Sequence, residues 1–113
     1  MPDFTATIAD RSPSQVVVLA RGELDLASAV QLQRVVEQAQ DGGAVVLLDL
    51  RDLVFCDSSG LRLLLKLSTE ARDNGWELAI RIGDGAVRRV VEMTHTAALL
   101  NLAEADDAPH DGA

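Results

Sequence analysis

The chain has 113 residues, 48% hydrophobic and 25% charged, which suits a single domain with a core of its own. Its formal net charge of −8 argues against nucleic acid or an anionic membrane as partner, since both select clustered Lys and Arg. No apolar run approaches the roughly 20 residues of a membrane span. The start lacks the basic and apolar pattern of a secretory signal, and the single Cys56 leaves no internal disulfide. The expected setting is therefore the cytoplasm.

In chain order, Phe4, Ala6 and Ile8 alternate with Thr5 and Thr7, the period of a half-buried strand. A turn around Pro13 leads to a second strand, Val16 to Ala20, so the chain opens on a hairpin. Gly22-Glu23-Leu24-Asp25 breaks that strand. Asp25, three residues before Ser28, is a candidate N-cap for a helix running to about Gln40, with Val30, Leu32, Val35, Val36 and Ala39 giving its apolar side. After Gly42-Gly43, the run Val45 to Leu50 reads as a buried central strand. A connecting segment reaches Asp57-Ser58-Ser59-Gly60, and a leucine-rich helix follows, ended by Asn74-Gly75. Trp76 to Ile82 alternates as a strand, and Ala86 to Met93 forms a short helix with Val87, Val90 and Val91 inward. Leu99, Leu100 and Leu102 fit either a last strand or a helix end. The order implies an α/β fold with a mixed, partly parallel sheet of four to five strands backed by three to four helices. Residues 1–103 form the domain. Residues 104–113, with Glu104, Asp106, Asp107 and Asp111 and no Lys or Arg, are expected to be a solvated, disordered acidic tail.

The stretch Ala44 to Leu67 organises the rest. It places two hydroxyls, Ser58 and Ser59, where a helix N-terminus opens at the end of a buried strand. The simplest role for Asp57, Ser58 and Ser59 is to cap that helix. The functional alternative is a regulatory phosphoacceptor, whose phosphate would meet the helix N-terminus and the like charge of Asp57 in comparable and opposite terms. Such a modification would act on a surface rather than on the fold. On the helix, Leu61, Leu64, Leu65 and Ser68 cluster on the expected core face at about 100° per residue. Arg62, Lys66 and Asp73 lie opposite, and Leu63 projects beside Lys66 as a candidate partner contact.

Catalysis finds little support. There is no G-x-S-x-G elbow, Walker loop or G-x-G-x-x-G, and the only histidines, His95 and His110, are poorly placed to serve a serine nucleophile. One Cys and two distant His offer no metal-ligand spacing, so neither a metal nor a cofactor is expected. Asp57 at a strand end suggests a receiver domain, but the acidic pair and the lysine such a domain needs are missing. Cys56 is best read as a small buried hydrophobe.

Gly22-Glu23-Leu24-Asp25, Leu47-Leu48-Asp49-Leu50 and Leu53-Val54-Phe55-Cys56-Asp57-Ser58-Ser59-Gly60-Leu61 together resemble the STAS domain of bacterial anti-sigma factor antagonists, over roughly residues 3–102. That resemblance implies a non-catalytic protein that regulates sigma-factor-dependent transcription by partner switching. Unmodified, it would bind a serine-kinase anti-sigma factor. Phosphorylation of the Ser directly after the Asp, Ser58 here, would release it, and a PP2C-type phosphatase would restore binding. Asp25, Asp57, Ser59, Gly60, Arg62, Leu63 and Lys66 are the expected partner-binding residues around Ser58. The residues alone do not separate Ser58 from Ser59; the resemblance does. The alternative is a STAS accessory subunit of a transporter or stress-signalling assembly that does not phospho-switch. Two departures from the family pattern stand out: the bulky Arg62-Leu63-Leu64-Leu65 and the acidic tail.

Overall fold

The chain, described over residues 3–103 in a computed structural model, runs β1 (Thr5–Arg11), β2 (Gln15–Leu24), α1 (Leu26–Ala39), β3 (Val45–Cys56), α2 (Ser58–Asn74), β4 (Leu78–Arg81) and α3 (Ala86–Thr94). Short 3-10 turns occupy Gln40–Gly42 and Ala97–Leu99. The four strands form one sheet in the order β1-β2-β3-β4. The opening hairpin is antiparallel, whereas β3 runs parallel to both β2 and β4. This is the mixed sheet and three-helix arrangement that the alternation of strand and helix patterns implies.

Local chemistry sets the elements. In β2, Val16, Val18, Ala20 and Leu24 point into the core, with Gly22 buried on the same alternation, while the residues between them stay half-buried or exposed. In β3, Val46 to Leu50 are all buried, an apolar run interrupted only by Asp49, as for a strand buried on both faces. Leu32 and Val36 of α1, Leu64 and Leu67 of α2, and Val87 and Val91 of α3 close over Leu48, Leu50 and Ile80 to make one core.

Both inner strands run further than their sequences suggest. β2 passes through Gly22 to Leu24, and β3 continues through 51–56 because it pairs with that extension. Gly22 makes this possible: at φ +99° it holds a conformation that L side chains rarely adopt, and a Cβ there would lie 2.2 Å from the Asp3 carbonyl oxygen. Of the two forms open to the last stretch, Leu99 closes the 3-10 turn Ala97–Leu99, and no further strand forms among the described residues. Leu102 makes a single parallel bridge to Ile80 on the outer edge of β4, and the Ala103 N–H donates to the Ile80 carbonyl at 2.7 Å. The expectations for 104–113 lie outside the described residues.

Two side chains depart from the faces their spacing indicates. Val30 of α1, expected inward, is exposed. Leu63 of α2, expected outward, is only 6% exposed and belongs to the core. The reason is that α2 packs on the sheet and against both α1 and α3. Its buried set, Gly60, Leu61, Leu63, Leu64, Leu67, Ser68 and Ala71, spans an arc of about 160° at 100° per residue. That arc is rotated toward Leu63 and leaves Leu65 half-buried at its margin.

Candidate functional site

β2 and β3 are parallel neighbours whose last residues, Leu24 and Cys56, are register partners. The next residues, Asp25 and Asp57, each cap a helix, so two helix N-termini open side by side at the carboxyl ends of parallel strands. In open α/β sheets this is the end where ligands and partners bind. A hydrogen bond ties the corners together, the Asp57 N–H donating to the Leu24 carbonyl at 3.3 Å.

Asp25 forms a complete capping box with Ser28. Its Oδ1 accepts from the Ser28 N–H at 3.0 Å, while the Asp25 N–H donates to Ser28 Oγ at 2.9 Å. These bonds, the backbone N–H of Ser28 foremost, hold the Asp25 carboxyl below the usual aspartate range. Asp57 caps α2 alone: one oxygen, Oδ1, accepts from the N–H groups of Ser59 at 2.9 Å and Gly60 at 3.1 Å. With those donors engaged, a free anion finds little cradle here.

Ser58 is the first residue of α2. Its side chain is exposed, whereas Ser59 is half-buried, and among the described residues the Ser58 hydroxyl makes no hydrogen bond. This separates the two hydroxyls on geometry. Arg62 and Lys66 follow at one and two helical turns, both exposed and without an ion pair among the described residues. Gly60 and Leu63 belong elsewhere. Gly60 is buried, and a Cβ on it would stand 2.8 Å from Leu24 Cγ and 2.9 Å from Cys56 Sγ. It is glycine so that α2 can close onto the β2–β3 end, and it offers no side-chain contact surface. Leu63 is likewise turned into the core, which removes the exposure on which its assignment to partner contact rested. Of the expected partner-binding residues, Asp25, Asp57, Ser59, Arg62 and Lys66 keep surface beside Ser58, while Gly60 and Leu63 are buried.

Cys56 is buried behind this corner. Burial, with the charge of Asp57 adding to it, pushes its thiol up to about 11, so it stays protonated and unreactive. Among the described residues no three acidic, His or Cys side chains gather as a metal site. No described helix is long and apolar enough to cross a membrane.

One buried polar group escaped the reading of the sequence. Asp49, on the sheet face between Leu19 and Arg81, accepts from Arg51 Nε at 3.0 Å and Nη2 at 2.8 Å, with Arg81 Nη1 at 3.9 Å. Burial opposes its ionisation, but the bonds and charge of Arg51, with Arg81 behind, outweigh it and hold the carboxyl below its usual range. A lone Asp in an apolar run is the signal that such a partner exists.

The family model of the STAS domain matches residues 6–107, most of the chain. The protein belongs to the STAS domain family. Solved structures agree on the STAS fold. An anti-sigma factor antagonist from Mycobacterium paratuberculosis superposes with a TM-score of 0.76 at 22% identity, covering 93% of this chain and 90% of that one. The anti-sigma factor antagonist SpoIIAA in its unphosphorylated form gives 0.66 at 22% identity, with 93% and 91% covered. The Bacillus cell fate determinant SpoIIAA in its phosphorylated form gives 0.62 at 21% identity, with 93% and 95% covered. Among curated protein sequences, none matches this STAS chain.

Proposed function

We propose that this STAS protein is an anti-sigma factor antagonist that acts by binding rather than by catalysis. Its partner is a serine-kinase anti-sigma factor, captured by the unmodified protein and released when the kinase phosphorylates Ser58. A PP2C-type phosphatase restores the binding form. The observation that carries this reading is the exposed, unbonded Ser58 hydroxyl at the first position of α2, beside an Asp57 already committed to the cap. Phosphorylation of such a hydroxyl adds about 1.5–2 negative charges at pH 7 without removing a structural bond. The fold likeness to proteins solved in unphosphorylated and phosphorylated forms supports it further.

In an interface, a charge of that size without a cation opposite costs several kcal/mol. A loss of about 2.8 kcal/mol is already a hundredfold in affinity. The test is a pull-down from host lysate with wild type, Ser58→Ala and Ser58→Asp, the bound proteins identified by mass spectrometry. Retention of a serine-kinase anti-sigma factor by Ser58→Ala and its loss from Ser58→Asp is the expected result. Equal capture of the same partners by both variants assigns Ser58 to the helix cap alone and points to an accessory subunit of another assembly.

A further inference from the structure

β4 stops at Arg81 while its neighbour β3 continues to Cys56, and α3 packs alongside β3. Between them lies a cleft of about 220 Å³ walled by Val54, Phe55, Ala86, Arg89, Val90 and Met93. Its apolar walls are unusually open to solvent: Val54 is 65%, Phe55 44% and Met93 75% exposed. The cause is a bulge. Gly22 pairs with Leu53 and the next residue, Glu23, with Phe55, so Val54 is an extra residue in β3. That extra residue breaks the strict alternation that would bury one of the two side chains. Both Val54 and Phe55 are thereby left at the surface.

We infer that this cleft receives an apolar anchor side chain of the serine-kinase anti-sigma factor, flanked there by a carboxylate; the inference rests on the partner-switching reading above. Three observations choose this occupant. First, one wall of the cleft lies near the switch, because Phe55 precedes Ser58 by three residues and so lies within roughly 11 Å of it along the chain. Second, 220 Å³ falls below the roughly 300–1,000 Å³ of small-molecule sites and suits a side chain or two. Third, Arg89 at the rim is exposed and makes no ion pair among the described residues, on a protein of net charge −8. A lone uncompensated cation beside an apolar cleft favours a partner that brings an acid next to its anchor. The bound kinase would then span Ser58 and the cleft together. The contact would persist around the phosphorylatable hydroxyl and hold it at the kinase active centre.

The test uses the full chain and the kinase anti-sigma factor identified with wild type, with affinities by titration calorimetry. Met93→Ser and Val54→Ser change exposed positions, so circular dichroism and thermal unfolding should match wild type; Arg89→Glu probes the rim, and Ser58→Asp reports the switch separately. The expected result is a loss of about tenfold or more for Met93→Ser and Arg89→Glu, the scale of an interface anchor, alongside loss of binding by Ser58→Asp. If Ser58→Asp loses the partner and the folded cleft variants bind as wild type, the cleft proposal is overturned and the switch stands. If the cleft variants weaken binding and Ser58→Asp does not, the cleft is a contact surface and the phospho-switch falls.

Discussion

Phosphate on Ser58 should leave the domain standing, and the magnitude can be worked from the corner it would occupy. The exposed N-terminus of α2 favours a negative charge by about 0.3–1 kcal/mol. Arg62, one turn further along and exposed, adds about 0.2–0.5 kcal/mol as an i,i+4 partner. Against these stands the carboxylate of Asp57, held at the cap by Ser59 and Gly60. At a separation of about 6 Å in water, repulsion is about 0.7 kcal/mol per unit charge, or about 1–1.4 kcal/mol for a phosphate. The opposing contributions nearly cancel. Urea unfolding followed by circular dichroism should place the stoichiometrically phosphorylated protein within about 1 kcal/mol of the unmodified one. In thermal melts the midpoints should agree within about 8 °C. A loss beyond about 2 kcal/mol would refute this reasoning, because the phosphate would then act by loosening α2 rather than by altering a binding surface.

Other positions give sharper stability outcomes. Gly60→Ala gains up to about 1 kcal/mol of helix propensity but pushes a methyl against Leu24 and Cys56, at a cost of about 1–3 kcal/mol; a net loss in urea titration is expected, and a stabilised variant would show that the corner has slack. Leu63→Ala should cost about 2–5 kcal/mol, as for any core leucine, and a change under about 0.5 kcal/mol would return Leu63 to the surface. Asp49→Asn removes the partner of two buried arginine contacts and should destabilise by about 3–5 kcal/mol at pH 7. Because the folded Asp49 carboxyl ionises below its unfolded value of about 3.9, its contribution is fully present above that pH and is lost as pH falls through the folded value. The gap between wild type and Asp49→Asn, measured by urea titration, should therefore narrow below about pH 4; a gap constant from pH 7 to pH 3 would exclude Asp49 as its source.

Much of this architecture is legible in the chain because its local signals agree with one another. Asp25 before Ser28 announces an N-cap, and Asp57 before Ser-Ser-Gly announces a second helix start; the reciprocal bond that completes the capping box at Asp25 is seen only in the fold. Gly75, in the left-handed conformation, ends α2 where Asn74-Gly75 suggests. What the sequence hides is set by tertiary context. Leucine density in α2 permits several inner faces, and only contact with both α1 and α3 selects the one that buries Leu63. Strand bulges leave no local mark, so the extension of β3 through Val54 and Phe55 reads as connecting loop until its pairing with β2 is seen. Gly60 shows the same limit. A glycine beside a serine pair suggests an open surface, whereas its neighbours Leu24 and Cys56 make it a packing requirement. The difference between Ser58 and Ser59 in exposure and in hydrogen bonding among the described residues is likewise visible only in the fold.

The most direct test of the switch is the affinity of one partner for two forms of one protein. The serine-kinase anti-sigma factor should be titrated calorimetrically with the unmodified chain and with the chain phosphorylated at Ser58, after circular dichroism has shown both to be folded. A dissociation constant weaker by about a hundredfold or more for the phosphorylated form is the predicted result. Equal affinities for two folded forms would contradict it and leave Ser58 as the first residue of a helix and nothing more.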